Sequence, residues 1–402
     1  MKIGIIREGK VPPDKRVALL PGQCRELMQK FPQVSFLVQP SPIRCIADQE
    51  YQEAGIPLSD DLSQCEVLLG IKEVPISQLI PDKTYFFFSH TLKKQKHNQS
   101  LLLAVLDKNI TLIDYECLTN ERGERLIAFG RYAGIVGAYN GILTYSKRYG
   151  LFQLKPAYEC FDLNHLREEY QKVKLPPIRI VLTGGGRAGK GAMEVLNEMG
   201  VDQVSPKDFL NKKYHHAVYT QLNSRDYHVA REGTEWNNAD FHRNPQNYQA
   251  RFLPFTQMAD MLIATAYWHP EGPVLFSKED LMQPGFRIRV IADISCDLDG
   301  SIPCTVRSTT IASPVFDFNP FTGKEDPPYS GESNITVMAI DNLPCELPRD
   351  ASQFFGQQLI DHILPQFFNH DSGQVLQRAR IAENGKLTEP FAYLADYAGA
   401  VE

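Results

Sequence analysis

The chain has 402 residues, 43% hydrophobic and 22% charged, with a formal net charge of −6; this length favours two domains, and the composition is that of an ordinary globular protein. A net negative charge without a basic stripe excludes broad nucleic-acid binding, and no apolar run is long enough to span a bilayer. The cysteines at 24, 45, 65, 117, 160, 296, 304 and 345 show no C-x-x-C spacing, and the opening "MKIGIIREGK" lacks the apolar stretch of a signal peptide. Neither a zinc site nor a redox pair is expected, and a reducing cytoplasm is the expected compartment.

In chain order, the first third alternates short apolar runs with amphipathic stretches. Strands are expected at 2–8 (KIGIIRE), 34–39 (VSFLVQ), 66–72 (EVLLGIK), 83–90 (KTYFFFSH) and 110–116 (ITLIDYE), with helices at 22–31 and 97–109. Such alternation predicts a mainly parallel sheet covered by helices. Residues 134–149 read as a helix with small residues on one side, and the polar, proline-marked stretch 155–177 as a connection. A second unit opens with a strand at 178–183 (IRIVLT), turns through glycines and continues as a helix at 187–199. Further strands are expected at 261–267, 286–295 and 335–341. Residues 206–256, rich in Asn, His, Arg and Tyr with little periodicity, read as a partly irregular insertion. The last long helix is expected over 351–368, kinked or ended by Pro365.

"VLTGGGRAGKGAMEVL" carries Gly184, Gly186 and Gly189 in the G-x-G-x-x-G spacing, between a β-run and a helix. The first glycine allows a tight turn, the second a close approach of backbone to a pyrophosphate, and the third close packing of helix on strand. The helix amino terminus, beginning at Arg187, offers partial positive charge to the phosphates. The usual acid that grips the adenosine ribose is missing. The second strand is expected at 202–205 (DQVS), and its end reads Ser205-Pro206-Lys207; Asp202 falls at the wrong end and Asp208 is late. Lys207 in place of an acid suits a 2′-phosphate, so the cofactor is read as NAD(P) with a slight lean to NADP(H).

Ligands of open α/β sheets sit outside the carboxyl ends of the strands. Lys72 and Glu73 follow "VLLGI", His90 follows "FFFS" and Glu116 follows "LIDY". Any one of these marks only a strand's exit to solvent. Together, at one edge, a lysine, an imidazole and two carboxylates form a proton-transfer set whose pKa values neighbours can tune. Arg16, in "DKRVALLP", follows the first strand and reaches the same edge. The histidines at 215, 216, 228 and 242 lack the companions of a metal site and are read as solvated loop residues.

The segments "KRVALLP", "GIKEVP", "FFFSHTLKKQ", "LIDYECL", "RLIAFGRYAGIVGA", the glycine turn and "AIDNLPCELPRDASQFFG" resemble the alanine dehydrogenase and transhydrogenase superfamily. Within it they look most like the lysine-forming saccharopine dehydrogenases and the lysine–ketoglutarate reductase half of the bifunctional lysine-degrading enzyme, nearly end to end. The resemblance implies an α/β fold of two Rossmann-like doubly wound domains with a cleft between them. Residues 1–133, completed by 342–402, would form a substrate domain, and 134–341 a dinucleotide-binding domain. It implies the reversible conversion of saccharopine and NAD(P)+ to lysine, 2-oxoglutarate and NAD(P)H. By position in the motifs, Lys72 and His90 are the implied catalytic pair. Arg16, Lys93 and Arg125 are the implied substrate-carboxylate cations, and Glu73 and Glu116 the acids that hold the substrate amine and temper the lysine. Asp341 matches the residue near the nicotinamide end of the cofactor. Small molecules are the implied partners, and a homo-oligomer is left open, since family members differ in assembly. Two other readings stay open. An alanine dehydrogenase-type enzyme shares the lysine–histidine pair but needs only one substrate carboxylate. A catalytically silent NAD(P)-binding protein would have lost the lysine, the histidine or the glycines, all of which are present.

Overall fold

Short buried runs of Val, Ile, Leu and Phe build the first sheet of the computed structural model. Its parallel strands are β1 (Lys2–Ile5), β2 (Ser35–Val38), β3 (Val67–Leu69), β4 (Thr84–Phe87) and β5 (Thr111–Asp114), in the order β5-β4-β3-β1-β2. The structure describes residues 1–231, 235–298 and 300–399, so 232–234 of the polar stretch and Asp299 lie outside it. It divides into a unit of Met1–Phe129 with the segment from Pro348, and a unit of Gly130–Leu347.

The first-unit strands are shorter than their apolar runs because the chain changes hydrogen-bond partner at their ends. Ile71 and Lys72 donate their backbone N–H groups to the Glu8 carboxylate at 2.7 and 2.8 Å, and Ser89 donates its own to Asp114 at 2.9 Å. Leu68, Tyr85, Phe87, Leu102, Leu112 and Ile381 share one core. The C-terminal strand Arg380–Glu383, absent from the sequence reading, pairs antiparallel with β5 and is followed by Lys386–Leu387. The expected helix 351–368 is shorter. It runs Pro348–Gln358, then passes through a wide turn at Leu359–Ile363 and a tight turn at Leu364–Phe367, where Pro365 has no N–H to continue an α-helix.

The second unit begins with helix Gly130–Tyr149, four residues ahead of expectation. Its first turn is pinned by Arg131, whose Nε and Nη2 donate to Glu194 at 3.0 and 2.6 Å. The helix packs backbone to backbone on helix Arg187–Glu198: a Cβ on Gly134 would lie 1.9 Å from the Ala188 carbonyl oxygen, and one on Gly191 2.1 Å from that of Arg131. The expected connection 155–177 contains helix Leu163–Tyr170, capped by Asp162, whose side chain accepts from the His165 N–H.

The second sheet comprises β6 (Arg179–Thr183), β7 (Asp202–Gln203), β8 (Val218–Leu222), β11 (Met261–Ala264), β12 (Val290–Asp293), β13 (Val315–Asn319), β14 (Lys324–Asp326) and β15 (Ile335–Met338). Between β8 and β11, β9 (His228–Ala230) and β10 (Tyr248–Ala250) form a separate antiparallel pair. The large sheet has the order β14-β13-β15-β12-β11-β6-β8-β7, parallel except for β13 and β14. This corrects two expectations. The strand beside β6 is β8 and not the 202–205 segment, and the polar stretch 206–256 therefore supplies a central strand. Burial explains it: Val218, Tyr219, Thr220 and Leu222 are fully buried, whereas Asp202 and Gln203 are exposed at the sheet edge. Among the described residues, no helix is long and apolar enough to cross a membrane.

Candidate active site

The carboxyl edge of the first sheet gathers most of the predicted ionisable residues. Ile71 ends a run fixed in the core, and the next residues, Lys72 and Glu73, turn out of it. Glu73 Oε1 lies 2.6 Å from Nδ1 of His90, and the Lys10 ammonium lies 2.8 Å from Oε2. Burial alone would raise the Glu73 pKa, but the hydrogen bonds from His90 and Lys10 outweigh it and hold the carboxyl down at about 2. Burial, aided by the positive charges of Arg16 and Lys10, pushes the Lys72 pKa down from the usual lysine range.

His90 itself has a left-handed backbone, with φ of 52°. Such a conformation is costly for a residue with a Cβ and persists only where surrounding contacts enforce it. Ser89, fully buried, supplies them: its N–H and hydroxyl both donate to Oδ2 of Asp114, while Oδ1 of Asp114 accepts the Glu116 N–H at 2.7 Å. One carboxylate thus ties the ends of β4 and β5 together. The Phe88 ring stacks 6.4 Å from the His90 imidazole.

Glu116 Oε1 receives Nη2 of Arg125 at 2.6 Å, both side chains being partly exposed. Arg16 is only 4% exposed. Its Nε and Nη2 donate to the two oxygens of Asp14 at 3.0 and 2.6 Å, and its guanidinium lies 4.2 Å from the centre of the Phe129 ring. Lys93 is exposed and makes no ion pair among the described residues. The edge therefore joins Lys72, Glu73 and His90, and separately Glu116 with Arg125, while Arg16 is engaged by a buried acid.

Three residues at this edge were missed: Glu8, Lys10 and Asp14. Glu8 follows β1, so the strand-end criterion that found Lys72, His90 and Glu116 could have found it too. Burial and the Asp14 charge push the Glu8 carboxyl up to about 8, even though it accepts the Ile71 and Lys72 amides.

In the second unit, Gly184 adopts φ of 95°, and a Cβ there would meet Thr265 and Ala266 at 2.7–2.9 Å. A Cβ on Gly189 would lie 2.2 Å from the Gly184 carbonyl oxygen, while one on Gly186 meets nothing within 4 Å. Gly186 caps the helix without a side chain, and its first turn carries no acid. The turn therefore fits a dinucleotide's pyrophosphate: close packing where the backbone needs it, and open space where the phosphates approach. Arg187 starts the helix and is exposed, and Asp341 follows β15 at the same carboxyl edge. Lys207 is exposed in the short helix Pro206–Asn211 behind edge strand β7. The strand beside β6 ends at Leu222-Asn223-Ser224-Arg225, and a Cβ on Gly185 would lie 2.9 Å from Asn223 Oδ1.

The model of the alanine dehydrogenase/PNT N-terminal domain matches residues 4–136, and that of the C-terminal domain residues 170–389. The chain belongs to the alanine dehydrogenase/PNT family. An alpha-aminoadipic semialdehyde synthase of Arabidopsis thaliana is 31% identical over 98% of this chain, which spans 41% of that relative's length. The lysine-forming, NAD+-dependent saccharopine dehydrogenase of Emericella nidulans is 26% identical, covering 96% of this chain and 97% of its own. An L-alanine dehydrogenase structure superposes with a TM-score of 0.64 at 16% identity, over 99% of both chains, and so shares the fold of this alanine dehydrogenase/PNT member.

Proposed function

We propose that the protein is a pyridine-nucleotide-dependent oxidoreductase of lysine metabolism. It interconverts saccharopine, NAD(P)+ and water with L-lysine, 2-oxoglutarate, NAD(P)H and a proton. The observation that carries this reading is the Glu73–His90 hydrogen bond beside a lysine whose ammonium is disfavoured. The nearly full-length similarity to a lysine-forming saccharopine dehydrogenase supports the substrate.

Saccharopine is a secondary amine bearing three carboxylates, and its oxidation leaves an imine that water must attack. Lys72 takes the amine proton. His90, oriented by Glu73, moves protons as water adds and lysine departs. Arg125, Arg16 and Lys93 bind carboxylates as charge-assisted donors, and Glu116 holds the substrate's distal amine. Gly184, Gly186, Gly189 and Arg187 hold the cofactor's pyrophosphate, and Asp341 lies toward its nicotinamide end. The nicotinamide, when bound, supplies the hydride acceptor. The cofactor lean is toward NADP(H): Arg225 follows the end of the strand beside β6, where the nearby acid, Asp226, is engaged by the Asn223 N–H at 2.7 Å, and Lys207 is a second candidate cation.

The test follows NAD(P)H formation from saccharopine with either cofactor, with alanine as control. Saccharopine is expected to be oxidised at least about a hundredfold more efficiently, a gap of about 2.7 kcal/mol. Alanine turnover to pyruvate without saccharopine turnover would identify an alanine dehydrogenase instead.

A further inference from the structure

The proposed reaction leaves one cation of the ionisable edge unused, Lys10. It follows β1, and its ammonium straddles the Glu73 carboxylate, donating to Oε1 at 3.1 Å and lying 2.8 Å from Oε2. Oε1 is the same oxygen that meets His90 Nδ1 at 2.6 Å. Oε2 is buried and accepts no hydrogen bond of ordinary geometry among the described residues, so it faces the ammonium by charge alone.

The backbone ahead of Lys10 makes this approach possible. A Cβ on Gly9 would lie 2.7 and 3.0 Å from ring carbons of Pro75 and 3.2 Å from Gln78 Oε1. A side chain there would have to displace the rigid proline ring, so glycine lets the loop after β1 press on the turn after β3. That contact delivers Lys10 to Glu73. The pair is not an ordinary surface bridge, which contributes little. The Glu73 side chain is 14% exposed and that of Lys10 34%, so the carboxylate is largely shielded from water and charges around it act at longer reach. Lys72 feels them. Burial is the first cause of its lowered pKa, the positive charges of Arg16 and Lys10 add to it, and the negative charges of Asp14 and Glu73 oppose them. Its backbone is separately fixed, since the Lys72 N–H donates to Glu8 at 2.8 Å.

We infer that Lys10 is a positioning residue of the reaction: it holds the Glu73 carboxylate in place against His90 and supplies positive charge that acts on Lys72. Without it, Glu73 would keep His90 as a partner but lose the charge that steadies its second oxygen. Its own negative charge would then fall uncompensated on Lys72, whose ammonium would keep its proton to higher pH. The inference rests on the proposed proton transfers at Lys72 and His90, and extends them to a residue that meets no reacting atom.

Lys10→Met and Lys10→Arg test this in the whole chain. Acetylation by trace acetic anhydride over a pH series, read by mass spectrometry in the peptide containing Lys72, reports the proton on Lys72 without any substrate. Lys10→Met is expected to move that labelling curve to higher pH, and Lys10→Arg, which keeps the charge, to leave it near the parent's. With saccharopine, Lys10→Met should lower kcat at pH 7 about threefold or more, with KM unchanged. The acid limb of its kcat/KM profile should move to higher pH, and Lys10→Arg should restore both. An unmoved Lys72 labelling curve in Lys10→Met would overturn the inference. So would a raised KM with kcat unchanged, which would make Lys10 a carboxylate-binding cation. Equal losses in both variants that follow a lower melting temperature would make it structural, and overturn the inference as well. If the parent protein does not oxidise saccharopine, the substrate reading fails, and the labelling curve still decides the role of Lys10.

Discussion

Glu73 Oε1 and His90 Nδ1 are 2.6 Å apart, and this bond decides which nitrogen of the imidazole faces chemistry. With Nδ1–H donated to a carboxylate held ionised, the neutral ring keeps Nε2 as its basic nitrogen. His90→Gln is therefore expected to cut turnover about 10²–10⁴-fold, the usual range for losing a general acid–base. Cofactor affinity, measured by fluorescence titration, should stay unchanged. Intact turnover with weakened cofactor binding would mark His90 as a cofactor residue.

Glu8 predicts a pH-dependent stability. Its carboxyl ionises near 4.5 in a model peptide and at about 8 in the fold. The folded state thus binds an extra proton between these values, so stability is full below about pH 4.5 and declines as pH rises through 8. The loss is on the order of 5 kcal/mol. Glu8→Gln should flatten this decline in melts at pH 5 and pH 8. Parallel curves for the two proteins would show that Glu8 is ionised throughout.

Arg16 and Asp14 form a buried pair, so removing one charge strands the other. Arg16→Met should destabilise the fold by about 3–5 kcal/mol, and adding Asp14→Leu should restore much of it. Saccharopine turnover should remain impaired in the double variant, because the carboxylate-binding cation is still absent. Recovery of full activity along with stability would make Arg16 purely structural.

The two candidate cations for a 2′-phosphate can be separated. Arg225→Ala should weaken NADPH about tenfold, or about 1.4 kcal/mol, with little change for NADH. Lys207→Ala should leave both nearly unchanged. The opposite pattern in the binding constants would return the specificity to the start of helix Pro206–Asn211.

Much of this was legible in the sequence where apolar runs are long. "TYFFFS" and "TLID" declared their strands, and the polar residues immediately after them are where the ionisable edge begins. β8 was hidden because "VYTQL" is short and set among histidines, lysines and asparagines; its burial comes from neighbours on both sides of it in the sheet, which local pattern does not carry. Asp162 was a readable helix cap in a stretch taken for a connection. The pairing of Asp14 with Arg16 was beyond reach for another reason. Two residues apart, they resemble any surface charge pair, and only their exclusion from water distinguishes them.

The glycines of the second unit are not interchangeable to mutation. At Gly134, Gly189 and Gly191 a single methyl group would be driven into backbone carbonyls at 1.9–2.2 Å, and neither partner is a side chain that can swing aside. Alanine at any of these positions would damage folding first, and lost cofactor binding would then reveal nothing about contact with a ligand. Gly186 differs, because its φ of −75° suits any residue and its missing side chain borders open space. Gly186→Ala is thus the substitution that leaves the scaffold whole while filling the phosphate approach. Drift in this chain's descendants should be tolerated there only if the dinucleotide ceases to matter.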